Sequence, residues 1–148
     1  MDLSHSKDIV VIGGGQAGAQ AIQSLRQSGY EGTLTLVCEE TALPYQRPPL
    51  SKAYMKGDMA EDRLYFKPAA WYEDNKIDVL LGQSVKAIDR SAREVELTHG
   101  GTLPYDALII ATGSSPRALP LEGGDLKNVF DLRSLADVEH IRPNMMDG

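Results

Sequence analysis

The stretch Asp8-Ile9-Val10-Val11-Ile12-Gly13-Gly14-Gly15-Gln16-Ala17-Gly18 decides the fold. Ile9 to Ile12 form an apolar, β-branched run without polar alternation, the pattern of a strand buried on both faces of a parallel sheet. Three glycines stop it at once. Across 16–28 the residues Ala17, Ala21, Ile22 and Leu25 recur at helical spacing, and Gly29 stands where a helix commonly ends. Thr33-Leu34-Thr35-Leu36-Val37-Cys38 then reads as a second strand. Strand, helix and strand in this order make a β-α-β unit, and the handedness rule lays the two strands parallel.

The glycines give this unit a chemistry. Gly13, Gly15 and Gly18 fill the GxGxxG pattern directly between a strand and a helix. Gly13 allows a tight turn, Gly15 lets the backbone approach a pyrophosphate, and Gly18 lets the helix pack closely on the first strand. The helix N-terminus adds N–H donors and the positive end of its dipole. Glu39 closes the second strand about 20 residues after Gly18, where a carboxylate accepts hydrogen bonds from ribose hydroxyls and disfavours a 2′-phosphate. An ordinary glycine turn would not need strand, helix and acid in register, so the segment predicts a dinucleotide site and argues against NADP at it. FAD and NAD share an ADP moiety, so the motif alone does not choose between them.

Working outward, Pro44, Pro48 and Pro49 make the segment 41–50 a rigid loop. Ser51 is expected as the N-cap of a short helix over 52–56, and Pro68 as the first residue of a helix continuing over 69–75. A strand is expected over 77–81, and runs at 84–89 and 94–98 suggest a small antiparallel meander. The apolar run 105–111 returns to a buried-strand pattern and ends at Thr112-Gly113, and helix signals are weak over 134–141. The predicted fold is α/β: a Rossmann-like three-layer domain with a parallel sheet and a small antiparallel β insertion.

Composition narrows the function. With 148 residues, 42% hydrophobic and 24% charged, the chain has the make-up of one globular domain, and disorder is excluded. Fifteen Lys+Arg against 21 Asp+Glu give −6, which argues against nucleic acid and anionic membranes as partners. Cys38 is the only cysteine, so no internal disulfide and no Cys/His metal cluster is expected; a reducing, cytoplasmic setting fits. The polar start and the short apolar runs predict neither an export signal nor a membrane span. His5, His99 and His140 are isolated and read as surface residues; Phe66, Trp71 and Tyr72 read as packing.

Two further segments resemble a known family. Leu43-Pro44-Tyr45-Gln46-Arg47-Pro48-Pro49-Leu50-Ser51-Lys52 and Leu108-Ile109-Ile110-Ala111-Thr112-Gly113-Ser114-Ser115-Pro116-Arg117 are similar to signatures of FAD-dependent NAD(P)H:ferredoxin reductases of the putidaredoxin and rhodocoxin reductase type. Apoptosis-inducing factor and monodehydroascorbate reductase look similar here. The likeness runs from Asp8 through Arg133 with the elements in family order.

The resemblance implies FAD as cofactor, with Gln16 and Ala17 beside its phosphates. It implies that Arg47 and Lys52 reach the phosphates and the flavin, with Lys52 in the catalytic role of stabilising negative charge on the reduced ring. It further implies that the Val85 backbone pairs with adenine, that Ala111, Thr112 and Gly113 lie near the pyrophosphate, and that Arg133 lies beside the cofactor; no metal is implied. The implied function is the FAD-binding part of an NADH-dependent reductase that delivers electrons to a ferredoxin- or rubredoxin-type iron–sulfur protein. The alternatives are a flavin-carrying regulatory module and a stand-alone NAD-binding protein.

A complete reductase of this type carries a second glycine-rich β-α-β unit for NAD(P)H, and no second GxGxxG follows Gly18. The expectation is therefore an amino-terminal FAD-binding domain spanning 1–148, with the NAD-binding domain absent and no NADH oxidation by this chain alone. With one cysteine, and none in 39–52, electron relay through a dithiol is not expected, and peroxide and coenzyme-A disulfide reductases are disfavoured.

Overall fold

A computed structural model describes residues 6–118 and 120–145; His5 lies outside them. The chain divides into two compact units, Met1–Tyr45 with Phe66–Gly113, and Gln46–Tyr65 with Ser114–Gly148.

In the first unit the two-face burial read from Ile9 to Ile12 has a direct cause. Strand β1 (Asp8–Ile12) runs between β2 (Thr33–Val37) and β7 (Ala107–Ile110), and β3 (Ile77–Leu80) lies outside β2, giving the parallel order β3-β2-β1-β7. Ile9 pairs with Leu34 and Ala107, and Ile12 pairs with Val37 and Ile110. On one face Ile9, Val11, Leu34, Leu36, Cys38 and Ile77 pack with Ile22 of helix α1 (Gln16–Gln27) and Tyr72 of helix α2 (Ala69–Asp74). On the other face Val10, Ile12 and Val37 pack against Val95 and Leu97. Those two belong to the antiparallel sheet β4 (Val85–Asp89), β5 (Glu94–Leu97) and β6 (Thr102–Pro104). The unit is thus the expected three-layer α/β arrangement of helices, parallel sheet and antiparallel sheet.

Local departures from the sequence reading have local reasons. Pro68 is the N-cap of α2, not its first residue: its ψ of 159° is extended, so the helix starts one residue later. β3 stops at Leu80 because the chain turns at Gly82, which has φ +66°. β6 was not expected at all, since three residues ending in a proline carry no readable period and form only an edge.

A cation sets the lower end of the unit. The Arg26 guanidinium donates to the carbonyls of Tyr30, Gly32, Asn75 and Lys76 at 2.7–2.9 Å, tying the end of α1 to the start of β2 and to the turn before β3.

In the second unit Ser51 does not cap a helix. A 3-10 turn occupies Pro48–Ser51, with Leu50 N–H donating to Arg47 O and Lys52 N–H to Pro49 O. Prolines have no N–H to lose, so the turn starts at Pro48 at no hydrogen-bonding cost, and Ser51 falls at its end. Residues 52–57 continue as turns up to Gly57, where φ is +81°. The weak signals over 134–141 become helix α3 (Leu135–Ile141), started by a capping box between Ser134 and Asp137. Arg142 lies 4.5 Å over the Tyr54 ring and donates to the Tyr54 carbonyl, and the Tyr54 hydroxyl donates to Glu139 Oε1 at 3.0 Å.

Candidate cofactor site

The carboxyl end of β1 leads straight into the glycine turn, and each glycine there meets different surroundings. Gly13 has φ +114°, and a Cβ on it would lie 2.3 Å from Ala111 O, because the turn sits against the end of β7. Gly13 N–H donates to Val37 O at 2.8 Å, and Ala111 N–H donates to Ile12 O at 2.8 Å, so both neighbouring strands grip the turn. A Cβ on Gly18 would lie 1.9 Å from Gly13 O, so α1 approaches β1 only without one. A Cβ on Gly14 would lie 2.5 Å from Cys38 Sγ.

Gly15 is the exception: nothing lies within 4 Å of where its Cβ would be, and its φ of −76° suits any residue. The protein's own packing does not ask for a glycine here. Gly15 is also the N-cap of α1, with no side-chain cap, and no acidic residue stands in the first turn. The first amides of a helix lack intrahelical partners, and amides left without a side-chain cap form an anion-receiving surface. Gln16 and Ala17 at this end are exposed. This arrangement fits a dinucleotide pyrophosphate.

The residues around the turn follow from the strand ends. Glu39, just past β2, is exposed, whereas its neighbour Glu40 accepts from the buried Tyr45 hydroxyl at 2.5 Å. Thr112 and Gly113 are exposed beyond the end of β7. Val85 opens β4 in the third layer opposite Leu97. Burial pushes the Cys38 thiol up to about 12, with the Glu40 charge adding to the rise, so Cys38 is no nucleophile at neutral pH. Tyr72 is 3% exposed, and its hydroxyl has no hydrogen-bond partner among the described residues.

In the second unit the structure brings Arg47 and Arg133 together: Arg47 Nη1 donates to Arg133 O at 2.5 Å. With Leu50, Ser51, Pro116 and Leu132 they line a cavity of about 340 Å³. Lys52 is exposed at the end of the 3-10 turn. Arg133 and Ser134 donate their N–H groups to Asp137 Oδ2 at 2.9 and 2.7 Å. Burial raises the Asp137 carboxyl, but those backbone donors, the Ser134 hydroxyl and the Arg47 charge outweigh it and hold the group below the usual aspartate value.

Sequence reasoning missed Gly14. The fingerprint leaves that residue free, and only the position of Cys38 in space shows why it is glycine. The glutamate engaged by Tyr45 was also missed, because no short motif links residues 40 and 45. Among the described residues no group of His, Cys, Asp and Glu side chains could hold a metal, and no helix is long and apolar enough to cross a membrane. His99 is exposed, and His140 stacks edge-on against Phe130 with centroids 5.4 Å apart.

Residues 7–147 match the family described as Pyridine nucleotide-disulphide oxidoreductase. The chain belongs to that family. As a member of it, the chain is 45% identical to rhodocoxin reductase of Rhodococcus erythropolis, over 93% of this chain and 32% of the relative. It is 40% identical to a rubredoxin-NAD(+) reductase of Pseudomonas putida, over 94% of this chain and 36% of the relative. Among solved structures, the reductase of the covalent putidaredoxin reductase–putidaredoxin complex superposes with a TM-score of 0.86 at 40% identity, covering 93% of this chain and 34% of that one. The likeness to ferredoxin-type reductases read from 43–52 and 108–117 is confirmed by these matches. The chain spans about a third of the length of these relatives.

Proposed function

We propose that residues 1–148 are the FAD-binding domain segment of an NADH-dependent reductase that passes electrons to an iron–sulfur protein of the ferredoxin or rubredoxin type. The observation that carries this reading is Gly15, whose Cβ would meet nothing within 4 Å among the described residues, set at the N-terminus of α1 where no side chain caps the helix. FAD, when bound, supplies acceptance of two electrons from NADH and their release one at a time. The amides of Gln16 and Ala17 receive the pyrophosphate, Gly13 and Gly18 hold the turn in place, and Glu39 accepts the ribose hydroxyls. Ala111, Thr112 and Gly113 border the same turn, and the Val85 backbone meets the adenine. On the resemblance, Arg47, Lys52 and Arg133 would serve the cofactor's phosphates and flavin, with Lys52 supplying positive charge toward the ring.

Relatives named for rhodocoxin, rubredoxin and putidaredoxin support an iron–sulfur or rubredoxin-type acceptor. A lone buried thiol and a net charge of −6 support a cytoplasmic setting without nucleic-acid or membrane partners. The test is anaerobic mixing of NADH with the full-length reductase carrying this segment, followed by addition of a ferredoxin-type protein. Flavin bleaching and then cluster reduction are expected. Bleaching with no electron delivery to any such carrier would favour a flavin-carrying regulatory module instead, and a protein without flavin absorbance would refute the proposal.

A further inference from the structure

Gly14 stands at the one residue between Gly13 and Gly15 that the fingerprint leaves free. Its φ is outside the left-handed region, so backbone conformation does not ask for glycine there. Space does. A Cβ on Gly14 would lie 2.5 Å from Cys38 Sγ, 3.1 Å from Cys38 Cβ and 3.7 Å from Cys38 Cα. Only the last is an ordinary van der Waals contact.

Neither backbone is free to retreat. Cys38 N–H donates to Leu80 O at 2.9 Å, Cys38 O accepts from Gln83 N–H at 2.8 Å, and the turn is tied to β2 through Gly13 N–H and Val37 O at 2.8 Å. Cys38 itself is 1% exposed and packed in the core on the α1 side, so its side chain has little room to swing away.

We propose that Cys38 is a positioning residue for the cofactor. Gly14 and Cys38 form a volume couple that sets how deeply the turn seats against the end of β2, and hence where Gly15 and the first amides of α1 meet a pyrophosphate. The proposal rests on reading this turn as the FAD site. The thiol acts through its size and not through its chemistry. A side chain on Gly14 is therefore tolerated only if residue 38 shrinks, and the three distances rank how far it must shrink.

The experiment is a cycle of variants in this chain: Gly14→Ala, Cys38→Gly, Gly14→Ala/Cys38→Ala and Gly14→Ala/Cys38→Gly. FAD affinity is read by quenching of flavin fluorescence, and the Tm of each variant is read without FAD. Overpacking at a tethered turn should weaken FAD binding by about tenfold or more in Gly14→Ala. Adding Cys38→Gly should restore affinity to within about threefold of the parent, the scatter expected once the coupled clash is gone. Adding Cys38→Ala should restore it in part. A Tm cycle that moves while FAD affinity stays at the parent value would reduce the couple to core packing and overturn the positioning role. So would equal weakening in Gly14→Ala and Gly14→Ala/Cys38→Gly. A parent chain that takes up no FAD would overturn the FAD reading itself, and the positioning role with it.

Discussion

Replacing Gly15 by valine separates the ligand's demands from the fold's. The Cβ of residue 15 would meet nothing within 4 Å, and the φ and ψ of −76° and −173° are extended values that valine prefers. Two small terms then oppose each other. Valine is a poorer N-cap than glycine, by up to about 1 kcal/mol. Against that, replacing a glycine restricts the unfolded chain and stabilises by about 0.4–1 kcal/mol. The net change in stability is near zero, so Tm should stay within about 4 °C of the parent. On the proposed reading the cofactor fares differently, because the isopropyl group would occupy the space through which the pyrophosphate approaches the backbone. Losing two charge-assisted hydrogen bonds at about 1.5–3 kcal/mol each weakens FAD at least a hundredfold. Gly18→Ala is the contrasting control: its Cβ would lie 1.9 Å from Gly13 O, so it should lower Tm as well as FAD binding. The assay is FAD titration beside thermal unfolding of the apo chain. A Gly15→Val protein that binds FAD as tightly as the parent would refute the reasoning, and one that fails to fold would refute the stability half of it.

Glu39→Ala should weaken FAD at least about tenfold with unchanged Tm, because the carboxylate is exposed and the hydrogen bonds proposed for it to ribose would be worth about 1.5–3 kcal/mol each; equal affinity would remove Glu39 from the site. The Cys38 thiol, pushed up to about 12 by burial from 9.0, remains neutral in the folded chain where it would ionise in the unfolded one. Its contribution is complete below about pH 9 and is lost as pH rises from there toward 12, at about 1.4 kcal/mol per pH unit; Cys38→Ala should flatten that slope in urea titrations between pH 9 and 10. Arg26→Ala should cost about 2–3 kcal/mol in denaturant unfolding, and Arg26→Lys should recover little, because a single ammonium cannot serve the Tyr30, Gly32, Asn75 and Lys76 carbonyls together.

The elements whose residues are buried on a regular period were legible. Ile9 to Ile12 read as a strand enclosed on both faces because β2, β7, the helices and the antiparallel sheet all cover it. The run 105–111 also read as a buried strand, and β7 does lie parallel to β1, but as an edge strand of that sheet it is only half-buried and Ile110 is 63% exposed. β6 was not legible, because three edge residues leave no period. Ser51 misled because it has the chemistry of a cap, while Pro48 and Pro49 had already started the turn. In the candidate site, Gly13, Gly15, Gly18 and Glu39 stand in a local motif and could be named from it. The constraint on Gly14 comes from Cys38 at the end of the neighbouring strand β2, distant along the chain, so no short motif contains it. The tie between Arg47 and the Arg133 carbonyl is long-range in the same way, although the Ser134–Asp137 capping box beside it was written locally.

The central claim is that the turn at Gly13 to Gly18 binds FAD, and an equilibrium titration of the purified chain with FAD tests it most directly. The account predicts saturable quenching of flavin fluorescence at one FAD per chain, reversed by excess ADP, which shares the moiety that the account assigns to the turn and Glu39. A chain whose titration shows no saturable FAD uptake while its apo form unfolds cooperatively would contradict it.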